Sequence, residues 1–145
     1  MDLFRLLMLC LLVTVAGCGE SGPKVVPVAG KVLIDGEPLD YGYIRFVPKQ
    51  GRASSAELES DGSFELRYSP DKMGAVLGSH RVEVAANETL GPTKVVWHAP
   101  KKYASIGTSG LSQDIAGPQE DLVIELDWGG QKGPLEEVFK GSSSF

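Results

Sequence analysis

Short runs of alternating apolar and polar residues, cut every few positions by glycine or proline, constrain this chain more than any other feature. The sequence carries 18 Gly and 9 Pro in 145 residues, and helical periodicity is absent along the part that follows the first two dozen residues. Val28, Gly30, Val32 and Ile34 fall on one face of a first strand, with Lys31 on the other, before Asp35-Gly36-Glu37-Pro38 turns the chain. A second strand is expected over residues 43–48 and a third over 56–59. After the turn at Ser60-Asp61-Gly62, Phe64, Leu66 and Tyr68 alternate with Ser63, Glu65 and Arg67 in a fourth. Beyond a loop at 69–78, a fifth strand turns Val82, Val84 and Ala86 inward. Val95-Val96-Trp97 reads as a short strand, Pro100-Lys101-Lys102-Tyr103 as a loop, and residues 111–115 and 122–128 as the last two strands. The pattern predicts an all-β fold, a two-layer antiparallel β-sandwich of about seven strands over residues 26–128. Residues 129–145, rich in Gly and Ser, read as a loose tail in which 135–139 has room for one helical turn.

The N-terminus follows a different logic. Residues 6–16 are apolar all round and end at Val15-Ala16-Gly17-Cys18, a run that resembles the lipobox of a bacterial lipoprotein signal peptide. Eleven residues span only about 16 Å as a helix, against a hydrocarbon core of about 30 Å, so the segment is too short to remain as a spanning anchor. Arg5 and the free amine supply the positive start, the apolar run the middle, and small residues the cleavage site. The expectation is a signal-peptide helix over 1–17 that is removed. Cys18 is then lipidated and residues 18–25 form a flexible tether. Cys10 lies in the removed segment, so the mature chain keeps one thiol and no disulfide; thioether attachment of a diacylglycerol consumes that thiol. Gly19 stands where aspartate would retain a Gram-negative lipoprotein in the inner membrane. This resemblance points to the outer membrane, facing the periplasm or the cell surface, with membrane lipid as the partner of Cys18.

From Cys18 onward the length supports one domain. The formal net charge of −5 and the lack of a basic patch exclude nucleic acid as a natural partner. Lys101-Lys102 is the only adjacent basic pair after the signal segment and reads as a solvated loop. Gly36 and Gly62 can adopt positive φ behind an Asp that bonds its own backbone, so both phrases are turn devices first. Glu57, Glu59 and Asp61 read as a solvated acidic stripe on one strand face, since no calcium-loop array accompanies them.

The residues Gly30-Lys31-Val32-Leu33-Ile34-Asp35-Gly36-Glu37-Pro38-Leu39, Ile44-Arg45-Phe46-Val47-Pro48, Asp61-Gly62-Ser63-Phe64-Glu65-Leu66, Pro100-Lys101-Lys102-Tyr103 and Thr108-Ser109-Gly110-Leu111 together resemble a family of planctomycete-type envelope lipoproteins. Their domain is similar to the carboxypeptidase regulatory-like, or transthyretin-like, sandwich. The resemblance implies an accessory, non-catalytic module in the cell envelope, with no cofactor and no metal.

Transthyretin-like folds also include hydrolases of a purine-derived ring, which use histidines, an arginine and a terminal Tyr-Arg-Gly-Ser run. Here Phe139-Lys140-Gly141-Ser142 echoes that run without the phenol hydroxyl or the guanidinium fork. His80 and His98 are the only histidines. They lack metal-ligand spacing, and the two Tyr and two His of sandwich-type ring-cleaving dioxygenases are matched only by count. Neither Ser54-Ser55 nor the serines at 142–144 sit in a nucleophile elbow. Binding is the expected activity, to an envelope protein or a polysaccharide. Its candidate residues are the aromatics in turns or at strand ends, Tyr41, Tyr43, Trp97, Tyr103 and Trp128. Packing at the core or its rim is the preferred account of these five, with ligand binding its rival. A carbohydrate-binding module is the alternative to a purely structural lipoprotein.

Overall fold

The computed structural model describes residue 19 and residues 22–140. Cys18, the segment 1–17 and residues 141–145 lie outside the described residues. Pro27, which has no amide hydrogen to give to a ladder, separates β1 (Val25–Val26) from β2 (Val28–Ile34). Asp35 and Gly36, at φ 48° and 84°, reverse the chain into β3 (Glu37–Pro38). There follow β4 (Tyr43–Pro48), β5 (Ser54–Glu57), β6 (Ser63–Glu65), β7 (Arg67–Ser69), β8 (Lys72–Met73) and β9 (Ala75–Val76). The longer β10 (Gly78–Ala85) leads to β11 (Asn87–Leu90) and β12 (Lys94–Trp97). A single 3-10 turn, Lys101–Ala104, precedes β13 (Leu111–Ile115), β14 (Gln119–Leu126) and β15 (Leu135–Val138).

The described residues are thus nearly all β. Six strands form one sheet in the order β13-β10-β4-β5-β7-β8, and a four-stranded sheet places β2 between β14 and β3, with β6 also paired to β2. Two smaller sheets, β11-β12-β15 and β1-β9, complete the structure. Every strand pair is antiparallel except β2 with β14. The sequence expectation of a wholly antiparallel sandwich is corrected there: the last core strand returns beside the first in the same direction, with Leu122 opposite Gly30 and Leu126 opposite Ile34.

The period-two patterns decide what is buried. Val28 and Val32 of β2, Ile124 and Leu126 of β14 and Phe64 of β6 meet Ile44 and Phe46 of β4, Val82 and Val84 of β10 and Ile115 of β13 in one apolar core. The Phe46 and Phe64 rings, one from each large sheet, lie 6.2 Å apart between centroids. Each such side chain contributes about 1.5–3 kcal/mol on full burial. This arrangement of apolar faces is consistent with a β-sandwich.

Residues 135–139, read from sequence as room for a helical turn, instead supply β15, which pairs with β12 from Lys94↔Val138 to Trp97↔Leu135. Ion pairs reinforce it, Lys94 to Glu136 at 2.7 Å and Lys101 to Glu137 at 3.0 Å. The Asp61 turn behaves as its composition dictates. Ser63 N–H donates to Asp61 Oδ1 at 3.0 Å, Lys31 lies 3.4 Å from Oδ2, and the Ser63 hydrogen bonds hold the Asp61 carboxyl down to about 2.

Two glycines separate the effects of space and of dihedral angle. A side chain at Gly30 would overlap the Leu122 backbone across the parallel pair, whereas Gly36 faces open space and needs only its positive φ. Gly30→Ala should therefore cost about 2 kcal/mol or more, the range of core overpacking. Gly36→Ala should cost about 1 kcal/mol, the penalty of one left-handed residue. Urea denaturation of the two variants beside the wild type checks the order.

Candidate functional site

The outer face of the six-stranded sheet carries a shallow concave surface. It forms an open groove of about 1130 Å³. Cross-strand partners in an antiparallel ladder point to the same side, so the register builds the face row by row. Glu83 stands opposite Arg45, Arg45 opposite Ser55, and Ser55 opposite Arg67. One row over, Ala85 faces Tyr43 and Tyr43 faces Glu57. At about 4.8 Å per strand, the Arg45 and Arg67 backbones stand about 10 Å apart.

Gly42 sets the entry to β4. Its φ of 113° and its approach to the Ala85 and Ala86 backbone leave no room for a side chain, while its carbonyl accepts from Leu58 N–H at 2.9 Å. Tyr41 and Tyr43 on either side of it both line the groove and are 40% and 44% exposed. The Tyr41 ring lies 4.9 Å from the imidazole of His98, whose Nε2 is 3.1 Å from Glu88 Oε2.

Arg45 is held in place from the neighbouring strand β10. Its Nη1 donates to Glu83 Oε1 at 3.1 Å, and the other Glu83 oxygen accepts the Ile106 N–H at 3.1 Å. A buried carboxylate that fills both oxygens in this way avoids the cost of an unpaired charge. Ser109, from the Thr108-Ser109-Gly110-Leu111 segment, is buried, donates to the Val82 carbonyl at 2.6 Å and accepts Leu111 N–H at 3.3 Å. That phrase therefore stitches a loop onto β10. Across the groove, Arg67 Nη1 donates to the Pro70 carbonyl at 3.0 Å.

The structure brings together only two of the five aromatics expected to bind. Tyr103 packs in the core, the preferred account of these aromatics. The 3-10 turn tucks its ring inward to 4% exposure, and its hydroxyl donates to Asp127 Oδ2 at 3.1 Å and accepts Asp127 N–H at 3.2 Å. Trp97 is engaged by its own chain, its Nε1 donating to Glu137 Oε2 at 3.1 Å with Lys101 Nζ 5.2 Å from the ring centroid. Hydrogen bonds from Lys101 and then from Trp97 hold the Glu137 carboxyl below its ordinary range. Trp128 is half-buried, its ring occupying the space a side chain at Gly133 would need. Sequence reasoning missed Arg45, Arg52, Arg67 and Tyr68 on the groove. The outward phase of the alternation carries Arg45 and Arg67; Tyr68, in period with Phe64 and Leu66, stands half-buried at the groove wall.

The residues considered for chemistry occupy structural positions. Ser54 is buried opposite Phe46, and Ser55 lies on the outer face between two arginines. Glu57 ends β5 on that face, apart from Asp61 in its turn. Among the described residues, no group of three or more His, Cys, Asp or Glu is placed to hold a metal ion. His80 faces inward at 2% exposure, 5.9 Å from the Phe46 ring, and in its Nδ1–H tautomer donates to the Gly78 carbonyl at 3.0 Å. Burial pushes its pKa below the usual 6.5, against the opposing pull of that carbonyl and of Asp114. No protein family, curated protein or solved structure matches this chain.

Two expected outcomes follow from these contacts. The folded state holds His80 neutral, so its contribution is fully present above about pH 6.5. It is lost as the pH falls below that value, where the unfolded chain takes up a proton that the folded chain refuses. Urea midpoints between pH 7.5 and 5 should therefore fall in the wild type and flatten in His80→Gln. Tyr103→Phe should cost about 1–2 kcal/mol at neutral pH, because it removes one donor and one acceptor from a half-buried network. Equilibrium denaturation measures that loss.

Proposed function

We propose that this protein is a cell-envelope lipoprotein, acylated at Cys18, whose β domain serves as a non-enzymatic interaction module. The observation that carries the reading is the open outer face of β4, β5 and β7, where exposed Tyr41 and Tyr43 stand beside arginines in a shallow groove. Such a surface suits an extended partner, and the two histidines have structural partners, His80 in the core and His98 at the rim with Tyr41 and Glu88. The anchor half of the proposal is supported by the apolar run that ends at Val15-Ala16-Gly17-Cys18. Several acyl chains at about 0.8 kcal/mol per buried methylene make release from a bilayer negligible.

The transthyretin-like, carboxypeptidase regulatory-like form of the sandwich belongs to the same proposal. It is supported by the resemblance of the segments from Gly30 to Leu111, two of which have evident structural roles. Asp61-Gly62 makes a turn, and Ser109 ties its loop to β10. The envelope position assigns the domain to the periplasm or the cell surface, with an envelope protein or polysaccharide as its partner.

Expression of the full chain in a bacterial host with radiolabelled palmitate tests the anchor. The wild type should incorporate label, partition into the detergent phase and give a mature mass that begins at Cys18 with a diacylglyceryl group. Cys18→Ser should lose label and detergent partition together. A mature chain that starts elsewhere, or a Cys18→Ser variant that keeps its label, refutes the proposal.

A further inference from the structure

The composition of the groove narrows the chemistry of its occupant. Its ring-bearing residues are three tyrosines, with Tyr43 in the sheet, Tyr41 at one rim on the His98 imidazole and Tyr68 half-buried on the β7 side. A phenol offers an apolar face for stacking and a polar tip for hydrogen bonding, at the cost of ordering only two side-chain torsions. Between the rings stand planar polar groups of both kinds. Arg45, Arg52 and Arg67 can only donate, while the carboxylates of Glu57, Glu59 and Glu65 only accept. Arg52 has no hydrogen-bonding or ionic partner among the described residues, and Arg45 and Arg67 each engage their partner through a single guanidinium nitrogen.

With Asp40, the lining carries carboxylates and guanidiniums in near balance. A polyanion or a polycation therefore gains no net attraction here, and the whole-chain charge of −5 repels polyanions further. The ligand that uses interleaved donors, acceptors and stacking faces is one whose every hydroxyl both donates and accepts and whose ring presents an apolar C–H face. The groove is also open and, at about 1130 Å³, exceeds the ordinary range of about 300–1,000 Å³ for enclosed small-molecule sites. It suits a chain that passes across it.

We infer that the outer face of β4, β5 and β7 binds a neutral polysaccharide, with pyranose rings stacked on Tyr43 and Tyr68 and hydroxyls held by Arg67, Arg52 and Glu57. The inference rests on the reading of the domain as an interaction module and names its partner. The full-length acylated protein in detergent micelles is to be run through native gels containing xyloglucan, galactomannan or mixed-linkage β-glucan, with alginate and chitosan as charged polymers. Calorimetry follows on any polymer that retards it.

Retardation by at least one neutral polymer is expected. Tyr43→Ala and Tyr68→Ala should each weaken binding about tenfold, the value of one stacked ring. Tyr68→Phe should retain the ring and most of the affinity. Val123→Ser, an exposed residue of β14, should bind as the wild type does. Raising the salt to about 0.5 M should change the affinity by less than about twofold, since a neutral ligand brings no charge to screen. Circular dichroism melts verify each fold, and the exposed position of Tyr43 makes that variant decisive if Tyr68→Ala melts early. No retardation by any neutral polymer, retardation by alginate or chitosan alone, or binding indifferent to Tyr43→Ala overturns the inference. Acylation at Cys18 together with a flat neutral panel sinks the glycan assignment alone, whereas loss of acylation with binding intact sinks only the anchor.

Discussion

The packing of Phe46 against Phe64 stands for the constraint on which the rest depends: each large sheet has one apolar face, and those faces have only each other to exclude water. With Val28, Val32, Val82 and Val84 committed inward, the alternate residues of the same strands are forced outward. The outer face that carries the groove is the obligatory reverse side of the core. Arg45 points to solvent because Ile44 and Phe46 do not, and one residue of slippage in β4 would bury the guanidinium and expose both apolar neighbours.

Local pattern made much of this legible. The alternation in β2 and β10 shows their inward faces in the residues alone, and the Asp35-Gly36 and Asp61-Gly62 turns lie where their chemistry requires. What escaped was decided by distant partners. Leu135-Glu136-Glu137-Val138 has apolar ends three residues apart, a spacing that suits a helical turn as well as a strand. The choice was made by Trp97, which bonds Glu137 forty residues away, and by Lys94. Tyr103 sits in a segment that reads as a loop, and its place in the core depends on Asp127. The parallel return of β14 beside β2 likewise has no local signature, since alternation is blind to strand direction.

The candidate site was legible only in part for the same reason. Tyr41 and Tyr43 flank one glycine and were found together, whereas Arg45, Arg52 and Arg67 come from β4, the loop after it and β7. Only the ladder register aligns Arg45, Ser55 and Arg67 in one row. The three aromatics that did not join them are used by the fold itself, as a core plug, a clasp for β15 and a cover over Gly133. A turn-borne aromatic on a small domain has two possible employers, and the backbone around it decides which one prevails.

The pairing of Val25 with Val76 and of Val26 with Ala75 pins the chain to the domain almost as soon as its described part begins. With an acyl group on Cys18, only seven residue steps separate the bilayer from that first fixed point, a leash of at most about 25 Å even when fully drawn out. The domain would thus patrol a shell no deeper than roughly its own width. Under the proposed anchoring, a chain bound in the groove would run close along the membrane.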